Sequence, residues 1–365
     1  MASGRLPFLV ATVIATIKIA IPFTYFAWFF DGKWTLSDDL NYIAWGQELV
    51  RAGYTPITAL IEPEGLKLLF SVSGGQHILY TWWNLVGQYF FGDHYYSSVF
   101  LNIALTFICG LLLFEILRAL NFSHSYRILF FIFFLFHWDV IAWSSFVNLK
   151  EIMVQTLTLS GLLFFVRISQ RFSMPSLIGL IASLFLLLWI RFYIPIFILA
   201  SFGAWVLFSR PKKILKYYLL ITPLVIAFFS LSGKLGALSL LQPKIILGGL
   251  IRFILTPQPW NIEPSYSFLT IPSIFHWLFT IPSIIAFFFL WRRHDQTRLL
   301  LIYGIVVSLF YSILPEYQGP RHRVQLGFML AWIQFHFLWI ALQAFALHAN
   351  AQSIINGHAP QPRHS

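Results

Sequence analysis

Apolar residues run in blocks of roughly 20 along most of this chain, the length at which an α-helix crosses about 30 Å of bilayer hydrocarbon. The first block covers about Leu6 to Phe30, and the next three about 97–119, 127–144 and 150–168. The run at about 174–209 fits two short spans broken near Arg191, and a seventh block lies at about 214–232. Blocks at about 268–290, 299–314 and 324–347 complete the set. The pattern predicts an all-α, polytopic integral membrane protein with about ten transmembrane helices. Residues 1–348 read as a single transmembrane domain, and the polar, Gly- and Pro-containing stretch 349–365 as a disordered tail. Membrane β-strands would be short and alternating, and the sequence has no such segments.

Two long polar stretches interrupt the spans, at about 31–96 and 233–267. Within the first, Gln76, His77, Thr81, Asn84 and Gln88 recur at helical spacing, and Ile78, Leu79, Trp82, Trp83, Leu85, Val86, Tyr89 and Phe90 fill the other face. This pattern suits an amphipathic helix lying in the membrane interface with Trp as anchor. Residues at about 38–53 form a weaker second example. In the block at about 268–290, Ile-Pro-Ser-Ile occurs at 271–274 and again at 281–284, and the two prolines predict a kink.

Composition agrees with the pattern, since 58% of the 365 residues are hydrophobic and only 10% are charged. The formal net charge of +11 is read as lysine and arginine at membrane edges and contact with anionic lipid, not as a nucleic-acid surface. The single cysteine, Cys109, allows no intrachain disulfide. The apolar N-terminal stretch has no small-residue cleavage site and is expected to stay as the first helix.

With the N-terminus inside, Arg5, Arg118, Arg127, Arg167, Arg171, Arg210, Lys212, Lys213, Lys216, Arg292, Arg293, Arg298 and Arg363 fall on the cytoplasmic side, 13 of the 24 basic residues. Most of the remainder belong to the two long loops, which the positive-inside rule discounts. Both termini are therefore expected in the cytoplasm, and the setting expected is a bacterial inner membrane. Lys18 falls inside the first span, where a snorkelling anchor is the simplest expectation. The acids follow another logic, because all but Glu115 and Asp295 face outward in this topology. The outer side thus carries nearly every carboxylate able to act as a base.

Five short outer segments set ionisable groups beside apolar spans: residues 37–42 (Ser-Asp-Asp-Leu-Asn-Tyr), 137–139 (His-Trp-Asp), 148–151 (Asn-Leu-Lys-Glu), 191–193 (Arg-Phe-Tyr) and 316–323 (Glu-Tyr-Gln-Gly-Pro-Arg-His-Arg). Charge near hydrocarbon is expensive, so each segment is a functional candidate. Carboxylates with several Arg and His around one cavity suit a phosphate-bearing amphiphile, because a guanidinium matches phosphate bidentately. The substrate- and phosphate-binding candidates are Arg191, Arg321, His322, Arg323, Lys150, Glu151, Asp139, Tyr42 and Glu316. Each also has a plain structural reading. Asp38 can cap the helix that starts near Leu40, Lys150 and Glu151 can pair locally at a helix start, and Arg321 and Arg323 can anchor at an interface. No His/Cys/Asp cluster has metal-ligand spacing, and no glycine-rich phosphate loop or dinucleotide fingerprint occurs, so neither a metal nor a cofactor is expected.

The order of these features resembles a known family. A long outer loop opens after the first helix with Asp38-Asp39, and Tyr42, Ala44 and Gly53 follow before the interfacial segments. The stretch 143–151 (Trp-Ser-Ser-Phe-Val-Asn-Leu-Lys-Glu) and the late 319–323 (Gly-Pro-Arg-His-Arg) come after. This arrangement is similar to the polytopic GT-C glycosyltransferases, in particular bacterial lipid-phosphate-sugar-dependent enzymes of the family 39 type. The resemblance implies a GT-C-like fold and Asp38 as catalytic base, with Asp39 as its neighbour. It implies transfer of a sugar from a polyprenyl-phosphate-linked donor to a cell-envelope glycan, lipid or protein, without metal and with inversion. The chain departs from many members in having about ten spans and no soluble outer domain after the last, which bears on acceptor recognition. Two rival readings stand beside it: a polysaccharide polymerase or ligase of the O-antigen type, and a non-enzymatic lipid or sugar transporter. A transporter predicts an inverted repeat and charges at the midplane, and the sequence offers only Lys18.

Overall fold

The computed structural model describes residues 7–32, 36–75, 77–94, 96–209, 243–293, 295–313 and 318–355. The seventh expected span (about 214–232) and Glu316 lie outside these residues. The described residues are all-α, with one isolated bridge between Gln258 and Asn261 and no strand. Among the described residues five helices are long and apolar enough to cross a membrane, or up to seven if each of two bent pairs is one span. The chain is thus an integral membrane protein, with fewer full-length spans among the described residues than the ten expected. Bending and shortness account for part of the difference, and the seventh expected span lies outside the described residues.

The first span, Phe8–Phe29, joins α1 (Phe8–Thr24) to a π turn. The first long loop then folds into α2 (Ser37–Arg51), α3 (Thr58–Ile61), α4 (Pro63–Val72) and α5 (Ile78–Phe91). Next come the straight span α6 (Ser97–Ala119) and the pair α7 (His124–Leu135) and α8 (Trp138–Ser145), bent by 48° where one span was expected. The straight span α9 (Glu151–Gln170) precedes α10 (Met174–Leu188) and α11 (Ile194–Ser209), which break at Arg191 as the sequence predicts.

The second loop contains a helix that the sequence reading missed, α12 (Pro243–Leu255). A 3-10 turn, Pro264–Leu269, leads into α13 (Thr270–Leu278) and α14 (Thr280–Trp291), bent by 58°. Pro272 and Pro282 each sit in the first turn of one of these helices, where a missing N–H is tolerated, and the break falls between them. Last come α15 (Asp295–Ile313), the single turn α16 (Pro320–Arg323) and α17 (Gly327–Ile355), which continues past residue 349 into the stretch read as tail.

The large core runs through α6 to α9, α15 and α17, with Trp143, Tyr126, Tyr303 and Tyr311 buried in it. A smaller core of Leu49, Ala59, Leu69, Ile78 and Leu85 binds the first-loop helices into a cap over one end of the bundle. That cap corrects the expectation for α5. Its polar stripe does not face water: Thr81, Asn84 and Gln88 are buried, while Tyr89, Phe90 and Phe91 are exposed. Gly46 of α2 makes this possible, because a Cβ there would lie 3.1 Å from the Asn84 backbone. The two helices meet closely, and Gln88 donates to the Ile43 carbonyl at 2.9 Å.

Lys18 corrects a second expectation. It does not snorkel; it is fully buried and donates to Ser144 Oγ at 3.2 Å, although most of α1 is exposed. A charge that deep in a bilayer is held by the bundle, not by the interface.

Helix α12 packs on α15 at a place that only glycine allows. A Cβ on Gly249 would come within 2.0 Å of the Ser312 carbonyl oxygen, whereas one on Gly248 meets nothing within 4 Å. Gly249→Ala is therefore expected to destabilise the protein by about 1–3 kcal/mol, the usual effect of overpacking. Gly248→Ala, on the same helix, is expected to be nearly neutral. Thermal unfolding of the two variants in one detergent measures the difference, and equal midpoints would refute the close α12–α15 contact.

Candidate functional site

The ends of α9, α10 and α16 nearest the cap meet it at a cavity of about 320 Å³. Its walls come from distant parts of the sequence: Asp38 from α2, His77 from the start of α5, Lys150, Arg191, Arg321 and His322. Gly75, Phe192 and Tyr193 also line it.

A single buried carboxylate organises the cations. Glu151 opens α9, where the helix dipole favours an acid, and is 1% exposed. Its Oε1 accepts from Arg321 Nε at 2.8 Å and from Arg191 Nη2. Arg191 also donates to Tyr193 Oη at 3.1 Å, which in turn receives a bond of 3.3 Å from Tyr311. Arg321 turns its other arm to Asp38, with Nη1 to Oδ2 at 2.5 Å. Glu151 therefore holds two arginines at the cavity wall, and it is not itself among the lining residues.

Lys150 takes different partners from its neighbour, so the two form no local pair. Its Nζ donates to Tyr42 Oη at 2.6 Å and lies 3.1 Å from His77 Nε2. His77 Nδ1 lies 3.0 Å from the Ile190 carbonyl, which can only accept, so the ring proton sits on Nδ1. Nε2 is left as acceptor for the lysine. Burial first, and Lys150 second, depress His77 to about 4, so the ring is neutral near pH 7. Burial, and then Arg191, likewise push the Lys150 ammonium well below its ordinary range.

The position of Lys150 and Glu151 is set by a satisfied polar network behind them. Asn148 donates to Asn84 Oδ1 at 2.8 Å and accepts from Tyr80 Oη at 2.8 Å, and Asn102 donates to Tyr80 Oη at 3.0 Å. Such a network fixes the loop between α8 and α9 because every member would be costly to bury alone. The buried stripe of α5 is part of it.

The structure thus brings together Asp38, Lys150, Arg191, Arg321 and His322 at the wall, with Tyr42 and Glu151 behind them. It separates others. Asp39 is not among the lining residues, is fully buried, and has no hydrogen-bond partner for either oxygen. Burial raises its carboxyl well above the ordinary range, against an opposing pull from Arg321. Arg323 turns from Arg321 to a second buried pair, 3.5 Å from Asp139, and also donates to the Thr256 carbonyl. Arg323 and Asp139 are therefore not part of the polar cavity. Arg323 instead marks the end of an apolar cavity of about 330 Å³ between α12, α14, α15 and α17, lined by residues such as Leu250, Ile254, Phe287, Ile305 and Met329. The single turn α16 sends one arginine to each cavity.

No known family model, curated protein or solved structure matches this chain. The geometry alone therefore carries the functional reading. Among the described residues no group of three His, Cys, Asp or Glu could hold a metal ion.

Among the wall residues missing from the sequence-based candidates is His77, which counted there only as part of the polar face of α5. The available signal was the Gly74-Gly75 turn just before it, which lets the chain reverse and offer the ring to Lys150. Its neutrality gives a pH prediction. A histidine depressed in the folded state binds its proton more readily when unfolded, so stability falls as pH drops from about 6.5 to about 4. His77→Gln is expected to flatten this part of the stability profile, as measured by thermal unfolding across that range. An unchanged slope would sink the assignment.

Proposed function

We propose that this protein is a membrane glycosyltransferase that moves a sugar from a polyprenyl-phosphate-linked donor to a cell-envelope glycan, lipid or protein acceptor. One observation carries the reading. Arg191 and Arg321 are tethered by a single buried carboxylate at a cavity that also exposes Asp38. The paired arginines supply donors and positive charge for a phosphate, and Asp38 supplies a base beside it. The apolar cavity, to whose lining the same helical turn contributes Arg323, offers room for part of a lipid chain.

In this reading the donor phosphate competes with Asp38 for Arg321 and so frees the carboxylate. Asp38 takes the proton from the acceptor hydroxyl as that oxygen attacks the anomeric carbon. The bond from that carbon to the phosphate oxygen breaks, and its electron pair leaves with the phosphate. Arg191 and Arg321 stabilise the growing negative charge. The phosphate also favours the charged form of Lys150, which burial otherwise weakens. A single displacement inverts the anomeric centre, and its transition state has oxocarbenium character. The expected orientation puts this cavity on the periplasmic side of a bacterial inner membrane.

The Asp38–Arg321 ion pair favours one second reading, a polymerase or ligase that moves a whole oligosaccharide and uses Asp38 only as a counter-ion. Such an enzyme depends on Arg191 and Arg321 more than on Asp38. The test is the purified protein reconstituted in lipid, supplied with polyprenyl-phosphate sugars and an acceptor extract. Release of polyprenyl phosphate supports single-sugar transfer. Intact sugar–lipid that crosses the bilayer without release overturns it in favour of a transporter.

A further inference from the structure

The opposite end of the bundle holds a cavity of a different kind, about 510 Å³, lined by Phe122, Tyr126, Arg292, Arg293, His336 and Trp339 among others. It lies far from the polar cavity. Helix α9 runs from Glu151 at one end to Arg167 at the other, where Glu115 joins it to Arg118 at the end of α6. Its 20 residues make about 30 Å of rise. Arg118, Arg127, Arg167, Arg292, Arg293 and Arg298 all belong to this basic end.

The cavity has the parts of an anion site. The Arg293 guanidinium lies 3.9 Å from the centre of the Phe122 ring, which holds it flat against one wall. The Tyr126 hydroxyl is buried and accepts from Trp332 Nε1 at 3.1 Å. Its own hydrogen needs an acceptor, and His336 Nδ1 stands 3.1 Å away. The His336 proton therefore sits on Nε2, which makes the ring a third donor in a wall that already carries two arginines. No acidic residue is among the described lining residues. Beside the cavity, Ile285, Phe288 and Phe289 of α14 and Leu342 and Phe345 of α17 are exposed apolar side chains.

We propose that this cavity binds the phosphate of an anionic membrane phospholipid, with the acyl chains lying on the exposed apolar faces of α14 and α17. Basic pockets between helices at the positively charged end of a membrane protein suit such headgroups. The adjoining apolar faces favour a lipid over a soluble phosphate, because they give the chains a surface continuous with the bilayer. The site is independent of the proposed transfer reaction and uses none of its residues.

The test is native mass spectrometry of the full-length protein in detergent doped with phosphatidylglycerol or phosphatidylcholine. The wild type is expected to retain phosphatidylglycerol preferentially. Arg292→Gln with Arg293→Gln is expected to weaken that retention about thirtyfold, from the usual contribution of two arginines near anionic lipid. Arg293→Lys is expected to keep most of it. Both arginines are exposed, and the single variant Arg292→Gln, which keeps the Arg293–Phe122 contact, repeats the test should the double variant fail to fold. Equal retention of the two lipids, or unchanged retention in the variants, overturns the proposal. Displacement of bound phosphatidylglycerol by excess glycerol 3-phosphate assigns the site to soluble phosphate and overturns the lipid assignment.

Discussion

Asp38→Asn is expected to reduce release of polyprenyl phosphate by about 10²–10⁴, the range for losing a general base, while Asp39→Asn keeps it. The two acids are adjacent in sequence but differ in surroundings. Asp38 lines the cavity and reaches Arg321 at 2.5 Å, whereas Asp39 is fully buried with both oxygens unpartnered. Burial holds the Asp39 carboxyl well above its ordinary range, so it favours the protonated form, which asparagine mimics in shape and charge. The sign of the linked stability effect follows. In the folded state Asp39 keeps a proton that the unfolded chain releases, so its contribution falls as pH rises from the ordinary carboxyl range to the folded value. Asp39→Asn removes that loss and is expected to raise the unfolding temperature toward neutral pH. The assay is donor hydrolysis and transfer in lipid, with unfolding followed in parallel. Full activity in folded Asp38→Asn would end its assignment as base and favour the polymerase or ligase reading. Loss of activity in stable Asp39→Asn would move the base to the buried carboxyl.

The second large effect is expected at Glu151. Glu151→Ala leaves Arg191, 6% exposed, and Arg321, 18% exposed, beside each other with no carboxylate between them. Removing one partner of a buried ion pair typically destabilises a protein by about 3–5 kcal/mol, because the remaining charge stays buried and uncompensated. Asp38 can still pair with Arg321, but no acid near Arg191 replaces Glu151 among the described ion pairs. Adding Arg191→Met to Glu151→Ala is therefore expected to recover part of the lost stability, since it removes the stranded charge. Denaturant or thermal unfolding of the wild type, the single variants and the double variant forms a double-mutant cycle. Additive effects would show that Glu151 and Arg191 act separately and would remove the tether from the proposed site.

The cavity also orders expectations among the other candidates. Arg323 and Asp139 pair with each other below the second loop, so their loss is expected to act through packing around the apolar cavity. Tyr42 sits behind Lys150 and positions it. His322 lines the polar cavity with its ring 5.2 Å from that of Tyr311. Glu316 lies outside the described residues.

Much of the architecture was legible in the order of residues. Apolar blocks long enough to cross a bilayer determine an all-helical membrane protein, because hydrocarbon forces each spanning segment to satisfy its own backbone. The break at Arg191, the Ile-Pro-Ser-Ile pair and two of the four first-loop helices, α2 and α5, were readable for similarly local reasons: a charge ends a span, a proline starts a helix, and period predicts amphipathicity; α3 and α4 were not foreseen. The direction of a face was not readable. The polar stripe of α5 reads as a solvated surface, yet Asn84 and Gln88 are buried because Gly46 lets α2 approach. Lys18 reads as an anchor, yet Ser144, 126 positions later, takes its charge inward. The sequence also could not separate Asp38 from Asp39, or Arg321 from Arg323, since each pair is close in the chain and alike in chemistry. Only the tertiary structure decides between them, because burial, partners and the cavity a side chain reaches depend on helices packed from elsewhere in the chain.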